Sequence, residues 1–179
     1  DILIRNPMNK LREHLNLMIG KTQIPKWLAI LLGIIIVLRI PSLFEPFYYG
    51  DETIYLTLGN GIKKGLVLYQ QIYDNKPPLL YLTAAIAGNV FWFKAILLLW
   101  NMITITIFWH LSKLFFSGKE KITKIATIVF GVLTSIPMFE GNIANAELFM
   151  IGPIILAIFL LFKNKSTWIN TIIAGVLFA

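Results

Sequence analysis

Acidic residues and lysines gather in two short stretches of this chain, and their types suit proton transfer and the stabilisation of anions. The first stretch contains Asp51, Glu52, Asp74 and Lys76, and the second contains Glu147. A carboxylate can accept the proton of an attacking hydroxyl group, and a lysine can stabilise a departing phosphate. Because the two stretches lie far apart in the sequence, the elements between them must bring these side chains together.

The composition predicts that those elements are membrane helices. Of the 179 residues, 57% are hydrophobic and 14% are charged, whereas soluble domains average about 25% charged residues. So few charged residues cannot cover a soluble globule, which excludes an ordinary soluble enzyme and a disordered tail. The absence of cysteine excludes a disulfide scaffold and a thiolate metal site. The sequence therefore predicts an all-α fold, a multi-pass transmembrane helical bundle with an outer loop of interfacial amphipathic helices.

Long hydrophobic runs predict where the chain crosses the membrane. We expect spans at about 27–44, 93–116, 122–139, 147–162 and 168–179. The last run is short, since twelve helical residues cover about 18 Å of a hydrocarbon core about 30 Å thick, so we expect a piece of a longer protein. A further apolar run at 77–92 is predicted to be re-entrant or juxtamembrane. Residues 1–25 are predicted to form a basic cytoplasmic arm on the anionic inner leaflet.

The distribution of charge predicts the orientation. Lysine and arginine near span ends favour the cytoplasm, which puts the N-terminus, the 112–124 link and the 163–167 link inside. Six of the nine acidic residues fall in the two remaining connections, at Glu45, Asp51, Glu52, Asp74, Glu140 and Glu147. This orientation requires that 77–92 does not cross. The alternative, a tight crossing hairpin in that segment, would place the 112–124 lysines outside.

The outer connection at 45–76 is predicted to contain a short amphipathic helix. Asp51 is a suitable N-cap and Gly65 a suitable C-terminal stop, and the Pro-Pro pair at 77–78 fits the first turn of the next helix. One face of the predicted helix is apolar because residues four apart are hydrophobic, at Ile54, Leu58 and Ile62. Such a helix beside a span is expected to lie along the membrane surface.

Three motifs of this loop carry a resemblance to a known family. They are YGDE at 49–52, GLVLY at 65–69 and YDNKPPLLY at 73–81. They resemble the first outer loop of the protein O-mannosyltransferase-like glycosyltransferases, which belong to the C-type membrane glycosyltransferases together with the lipid A aminoarabinose transferases. NAE at 145–147 resembles the second acidic motif of the family. The resemblance covers about residues 39–162 and identifies 26–179 as the N-terminal part of such a domain.

The resemblance implies an activity and a location. The activity is transfer of a mannose-like hexose from a polyprenyl- or dolichyl-phosphate donor to a hydroxyl group of a protein or lipid acceptor. The reaction takes place on the extracytoplasmic face of the cell membrane, with the N-terminus cytoplasmic and the 45–76 loop outside. The expected partners are the lipid-linked donor, the acceptor and membrane lipids, and no nucleic acid is expected.

The resemblance also implies roles for the acidic residues. Asp51 matches the loop aspartate of the family and is implied to be the catalytic base, and its alternative role is that of a helix N-cap. Glu52 and Glu147 are further catalytic candidates. Each of them could instead be a first-turn acid that the positive end of a helix favours.

The residues expected to bind substrate are Arg39, Asp74, Asn75, Lys76 and Lys94. The basic members can contact the phosphate of the donor, or they can simply extend towards the interface from the end of a span. Asn75 stands where relatives often have a glutamate or histidine that can bind a metal. Asparagine is a weaker ligand, so no metal site is predicted, and a divalent cation stays open as a cofactor.

Two other classes of function fit a multi-pass chain of this kind. A transporter or lipid flippase would place ionisable groups near the bilayer midplane on broken helices, whereas the acids here gather at one face. A non-catalytic membrane module is the third alternative. The asymmetry of the charges favours chemistry at a membrane surface.

Overall fold

The computed structural model describes residues 24–46, 49–163 and 167–179, and all regular elements within these ranges are helices. The seven α-helices are α1 (Lys26–Leu43), α2 (Gly50–Lys63), α3 (Pro78–Ala87), α4 (Val90–Phe115), α5 (Glu120–Leu133), α6 (Ala146–Phe162) and α7 (Trp168–Phe178). A single 3₁₀ turn lies at Pro137–Phe139. The prediction of an all-α fold is confirmed. The arm predicted at 1–25 lies outside the described residues except for its last two.

The chain divides into two compact units, Asp1–Ile30 and Leu31–Ala179. The division falls within α1, and the second unit contains all the candidate site residues. Within this unit α4 is central, because it packs against α3, α5 and α6, while α2 packs on α3 and α7 on α6.

Two of the described helices are long and apolar enough to cross a membrane. They are α1, with a mean hydropathy of 2.0 over 18 residues, and α4, with 1.8. Their most apolar windows are only 28% and 39% buried, so side chains such as Val37 and Leu99 are largely exposed. The remaining apolar helices α3, α6 and α7 are shorter. These surfaces are compatible with membrane association.

The helix predicted at 122–139 is shorter in the structure. It begins at Glu120 and ends at Leu133 after 14 residues, and the 3₁₀ turn follows. Pro137 explains the early end, because the residue before a proline disfavours the helical conformation and proline itself lacks the N–H that continues a helix. At about 1.5 Å per residue, α5 is about 21 Å long.

The amphipathic helix predicted in the outer loop exists as α2, but its apolar face is covered by protein. Gly59 allows this close packing, because a Cβ atom there would lie 2.6 Å from the backbone nitrogen of Ala85 in α3. Tyr55 and Leu58 are buried in this contact, whereas Ile54 is 45% exposed. The predicted face is therefore wrong for Ile54.

The ends of α2 differ in how well the sequence predicts them. Tyr49 rather than Asp51 is the N-cap residue, so Asp51 lies in the first turn. At the other end Lys64 is the C-cap. Gly65 follows with a φ of +86°, a left-handed conformation that glycine adopts without strain. The predicted stop is confirmed.

Close packing of α4 and α6 orients the second acidic stretch. A Cβ atom on Gly152 would lie 2.7 Å from Thr104 Oγ1 and 2.9 Å from the ring of Trp100. The Trp100 indole N–H also donates a hydrogen bond of 3.0 Å to the carbonyl of Phe149. These contacts hold the first turns of α6 against α4. The 134–145 connection joins the end of α5 to the start of α6.

Candidate functional site

A cavity of about 350 Å³ opens where the start of α2 meets the connection between α5 and α6. It is lined by Tyr49, Asp51, Phe139, Glu140, Asn145, Glu147 and Leu148. Three of these side chains are carboxylates, and they come from two stretches that are far apart in the sequence. The fold therefore brings together Asp51 and Glu147, the two acids expected to share a site.

Asp51 is a half-buried residue in the first turn of α2. The unbonded N–H groups of a helix start favour a negative charge there. One carboxylate oxygen, Oδ2, accepts a hydrogen bond of 3.2 Å from the Tyr55 hydroxyl one turn later. Burial, followed by the charge of Asp51, raises the pKa of Tyr55, so this hydroxyl stays a donor. Asp51 keeps its second oxygen, Oδ1, for other partners.

Glu147 forms an ion pair with Lys76 across the mouth of the cavity. Lys76 Nζ and Glu147 Oε1 are 3.0 Å apart, and the two side chains are 30% and 66% exposed. The hydrogen bond to Glu147, followed by its charge, raises the pKa of Lys76, and Asp51 and Asp74 add to the same effect. Lys76 is thus a cation within reach of the carboxylates of the cavity.

The backbone of Lys76 is fixed by two tyrosines. Its N–H donates to the hydroxyl of Tyr81 at 2.9 Å, and its carbonyl accepts from the hydroxyl of Tyr69 at 2.6 Å. The Tyr81 hydroxyl in turn donates to Asp74 Oδ2 at 2.8 Å, and Asp74 Oδ1 accepts from the backbone N–H of Asn75. Asp74 therefore orders the turn that presents Lys76. The side chain of Asn75 is exposed, and Asp74 and Asn75 do not line the cavity.

Glu52 and Lys94 were expected to contact substrate, and the structure instead buries both. Glu52 is 0% and Lys94 is 1% exposed, with Lys94 Nζ 3.6 Å from Glu52 Oε2 and 3.4 Å from Glu45 Oε2. Neither residue lines the cavity. Burial raises the pKa of Glu52, although the N–H of Ala144 and the charge of Lys94 oppose this shift. Both charged groups are enclosed by the protein in this structure, and their direct roles stay predictions.

This buried pair anchors the connection that carries Glu140 and Glu147. Glu52 Oε1 accepts a hydrogen bond of 2.7 Å from the backbone N–H of Ala144. Asn142 donates through Nδ2 to Glu45 Oε2 at 3.1 Å. The 142–146 segment is consequently tied to both α2 and α4, and all its residues are buried.

Arg39 is also buried, with 1% exposure, and it anchors the other end of the same connection. Its Nη1 lies 3.4 Å from the carbonyl oxygen of Thr134, which also accepts a bond of 3.2 Å from Asn101. Thr134 is the C-cap of α5, where the helix dipole favours a positive charge. Arg39 does not line the cavity, and no ion pair with Asp51 forms among the described residues. In this structure the Arg39 side chain is directed to the end of α5 and not to the cavity, and its contact with a donor phosphate stays a prediction.

Three polar residues that line the cavity, Tyr49, Glu140 and Asn145, were not predicted as site residues. Glu140, which the charge distribution placed in an outer connection, has a φ of +57°, and a Cβ atom on the following Gly141 would lie 2.6 Å from the Ser135 nitrogen. The charge of Glu140 is the largest cause that raises the pKa of Tyr49. Asn145 is the N-cap of α6 and accepts from the N–H of Leu148. The sequence feature that could have identified Tyr49 and Asn145 is their position as the first residues of two acidic motifs, YGDE at 49–52 and NAE at 145–147.

An apolar groove of about 770 Å³ begins directly beside the Lys76–Glu147 pair. It is formed by α3, α4, α6 and α7, and its lining includes Pro77, Leu80, Ile96, Leu99, Phe149 and Met150. Pro77 follows Lys76 in the chain, and Ala146, next to Glu147, also lines the groove. The ion pair thus lies at the boundary between a carboxylate cavity and an apolar surface.

The geometry does not define a metal centre. Within the described ranges, no three histidine or acidic side chains lie close enough together to hold one metal ion. What the arrangement offers is a carboxylate with a free oxygen, a neighbouring cation and an apolar groove. Comparison of the chain with protein-family models, with curated proteins and with solved structures finds no match.

Proposed function

We propose that this chain forms part of a multi-pass membrane glycosyltransferase. It would transfer a mannose-like hexose from a polyprenyl- or dolichyl-phosphate donor to a hydroxyl group of a protein or lipid acceptor. The observation that carries the proposal is the position of Lys76, which lies between the carboxylate cavity and the apolar groove. A lipid-linked sugar phosphate has the same three parts: a polar sugar, an anionic phosphate and a long apolar chain.

In the proposed reaction Asp51 acts as the base. Its carboxylate accepts the proton of the acceptor hydroxyl while the hydroxyl oxygen attacks C1 of the sugar. The bond between C1 and the phosphate oxygen breaks, and the lipid phosphate leaves with the electron pair. Lys76 stabilises the charge on the departing phosphate, which is where a fixed cation is most effective. The products are the glycosylated acceptor, the lipid phosphate and the protonated Asp51.

Glu147 has a different part in the proposal. It neutralises Lys76 while the site is empty, at a Nζ–Oε1 distance of 3.0 Å, and it adds negative charge to the cavity. Glu52, Lys94 and Arg39 hold the walls of the site from within the protein. Asp74 and Asn75 form the turn that presents Lys76.

The proposed membrane placement follows from the charges of the two ends of the bundle. The cavity end has Glu45, Asp51, Asp74, Glu140 and Glu147, and the end at which α4 stops and α5 begins has four lysines within 113–124. The lysine-rich end is proposed to face the cytoplasm and the cavity the outside. In this placement α1, α4, α5, α6 and α7 cross the bilayer, and α3 is re-entrant.

The catalytic assignment is tested with Asp51→Asn in the full-length protein, reconstituted in vesicles with polyprenyl-phosphate mannose and acceptor. Loss of the base should lower the rate of sugar transfer by about 100-fold or more. Glu120→Gln is the matched control, since Glu120 is also a first-turn acid but lies at the other end of the bundle. Full transfer by a correctly inserted Asp51→Asn variant contradicts the assignment.

The orientation is tested separately with single cysteines, for which the cysteine-free sequence is well suited. Tyr73→Cys and Met138→Cys replace side chains that are 75% and 83% exposed at the cavity end. Both should react with an impermeant thiol reagent added outside intact cells. Ser117→Cys, in the exposed turn after α4, should react only after the membrane is opened. The reverse pattern would overturn the proposed topology.

A further inference from the structure

The end of the bundle opposite the cavity has a concentrated positive charge. α4 and α6 end there and α5 begins there, and its described charged residues are Lys113, Lys119, Glu120, Lys121, Lys124 and Lys163. Five of these six residues are basic. The ends of α4 and α6 are directly adjacent, because the rings of Phe115 and Phe162 lie 5.5 Å apart.

Two of the lysines each lie over an aromatic ring at this end of the bundle, and the two rings are connected through a histidine. Lys113 Nζ lies 4.9 Å from the centre of the Trp109 ring, and Lys163 Nζ lies 5.8 Å from that of Phe159. His110 connects the two, with its ring 4.5 Å from Trp109 and 6.1 Å from Phe159. Such cation–π contacts orient each ammonium group without neutralising its charge. The two ammonium groups therefore flank a half-buried histidine at the end of the α4–α6 contact.

Next to these cations the surface is apolar. Phe115 is 53% and Phe162 is 63% exposed, although the two rings contact each other. Exposed phenylalanine beside fixed positive charge is a poor surface for water or for a small soluble anion. It matches an amphiphile whose anionic group binds the lysines and whose chains cover the rings.

We infer that this surface, formed by Lys113, Lys163, Phe115 and Phe162, binds an anionic phospholipid. The phosphate of the headgroup is placed between the two ammonium groups, and the acyl chains run along the Phe115–Phe162 pair. Basic pockets between helix ends at a membrane surface bind anionic headgroups in this way. The inference rests on the membrane placement proposed above and not on the sugar-transfer activity.

The inference is tested by lipid binding to the purified full-length protein in detergent, measured by native mass spectrometry with phosphatidylglycerol and phosphatidylcholine. The protein should bind phosphatidylglycerol in preference to phosphatidylcholine. Lys113→Gln with Lys163→Gln should weaken phosphatidylglycerol binding by about 30-fold, since each lysine near a bilayer surface contributes about a fivefold effect. Lys63→Gln with Lys64→Gln is the matched control, because these lysines end α2 at the other end of the bundle.

Two further measurements separate a lipid site from a simple anion site. Phe115→Ala with Phe162→Ala should weaken binding of long-chain phosphatidylglycerol and leave the weak binding of glycerol phosphate unchanged. Equal binding of the two phospholipids would overturn the inference, and so would equal losses in the test and control lysine pairs. A wrong sugar-transfer assignment would leave all these results unchanged. A wrong membrane placement would appear separately, as the reverse pattern in the cysteine labelling.

Discussion

Replacing Lys94 by methionine is expected to damage this protein far more than replacing Lys76, although both lysines form ion pairs with glutamates. The Lys94–Glu52 pair has side chains that are 1% and 0% exposed at a distance of 3.6 Å, and the Lys76–Glu147 pair is 30% and 66% exposed at 3.0 Å. The distances alone would rank the pairs in the opposite order. Burial decides, since a charge left without a partner inside the protein cannot be solvated.

The magnitudes follow from the two environments. Breaking a buried pair by removing one partner costs about 3–5 kcal/mol, and exposed pairs contribute about 0.2–1 kcal/mol. Lys94→Met should therefore lower the free energy of unfolding by several kcal/mol, and Lys76→Met by less than about 1 kcal/mol. The double variant Lys94→Met with Glu52→Gln should be more stable than Lys94→Met alone. In the double variant no carboxylate remains buried at position 52, and glutamine can still accept the bond from Ala144.

The loss of stability caused by Lys94→Met should also depend on pH, in a direction that follows from the raised pKa of Glu52. Burial raises the pKa of Glu52 from its ordinary value of 4.5, so the folded protein holds this proton more tightly than the unfolded chain does. The stabilisation that comes from protonated Glu52 is fully present below pH 4.5, and it is lost as the pH rises through the raised pKa of Glu52 in the folded protein. Without Lys94 the pKa rises further. The stability difference between Lys94→Met and the parent should therefore shrink on acidification.

The assay is thermal unfolding of the purified protein in detergent at several pH values, followed by tryptophan fluorescence or circular dichroism. Lys94→Met should unfold at a clearly lower temperature than Lys76→Met, and the gap should narrow as the pH falls. Equal destabilisation by the two substitutions would refute the reasoning that burial controls these pairs. A gap that stays constant with pH would refute the part of the reasoning that depends on Glu52.

Substitutions at four other positions have expected outcomes. Gly59→Ala should lower stability by about 1–3 kcal/mol, because the new Cβ atom meets the α3 backbone at 2.6 Å. Gly175→Ala, in an open position of α7, should raise stability by about 0.5–1 kcal/mol. Thermal unfolding measures both effects. Tyr81→Phe removes the hydroxyl that joins Asp74 to the Lys76 N–H, so it should lower the rate of sugar transfer more than Tyr73→Phe does. Arg39→Met should increase hydrogen exchange in the 134–146 connection, and Arg39→Lys should increase it less, as mass spectrometry of the peptides can measure.

Local patterns predicted the elements well and their packing poorly. The Gly65 stop and the Pro-Pro start of α3 are properties of the backbone at single residues, and the structure has both. The apolar face of α2 depends instead on what covers it. Gly59 permits an approach to Ala85, and that approach turns the buried face towards Tyr55 and leaves Ile54 exposed. A periodicity of hydrophobic residues contains no information on such a partner.

The candidate site shows the same difference between what local patterns predict and what packing decides. The resemblance pointed to Asp51, Lys76 and Glu147, and the structure brings Asp51 and Glu147 to one cavity, with Lys76 paired to Glu147 at its edge. From the sequence, Arg39 and Lys94 were expected to bind substrate, because a positive charge near the end of a span needs an anionic partner. Their partners lie within the protein: the carboxylates of Glu45 and Glu52 for Lys94, and the carbonyl oxygen of Thr134 at the end of α5 for Arg39.

The adjacent acids Asp51 and Glu52 illustrate why a motif cannot assign its own roles. Consecutive residues of an α-helix point about 100° apart, and in α2 this difference gives the two carboxylates different surroundings. Asp51 faces the cavity, and Glu52 faces α4 and the Ala144 amide. A rotation of α2 that exposed Glu52 would break its 2.7 Å bond to the Ala144 amide and would also turn Asp51, which lies in the same helical turn. The buried Glu52 therefore helps to fix the orientation of the half-buried Asp51, although only Asp51 lines the cavity.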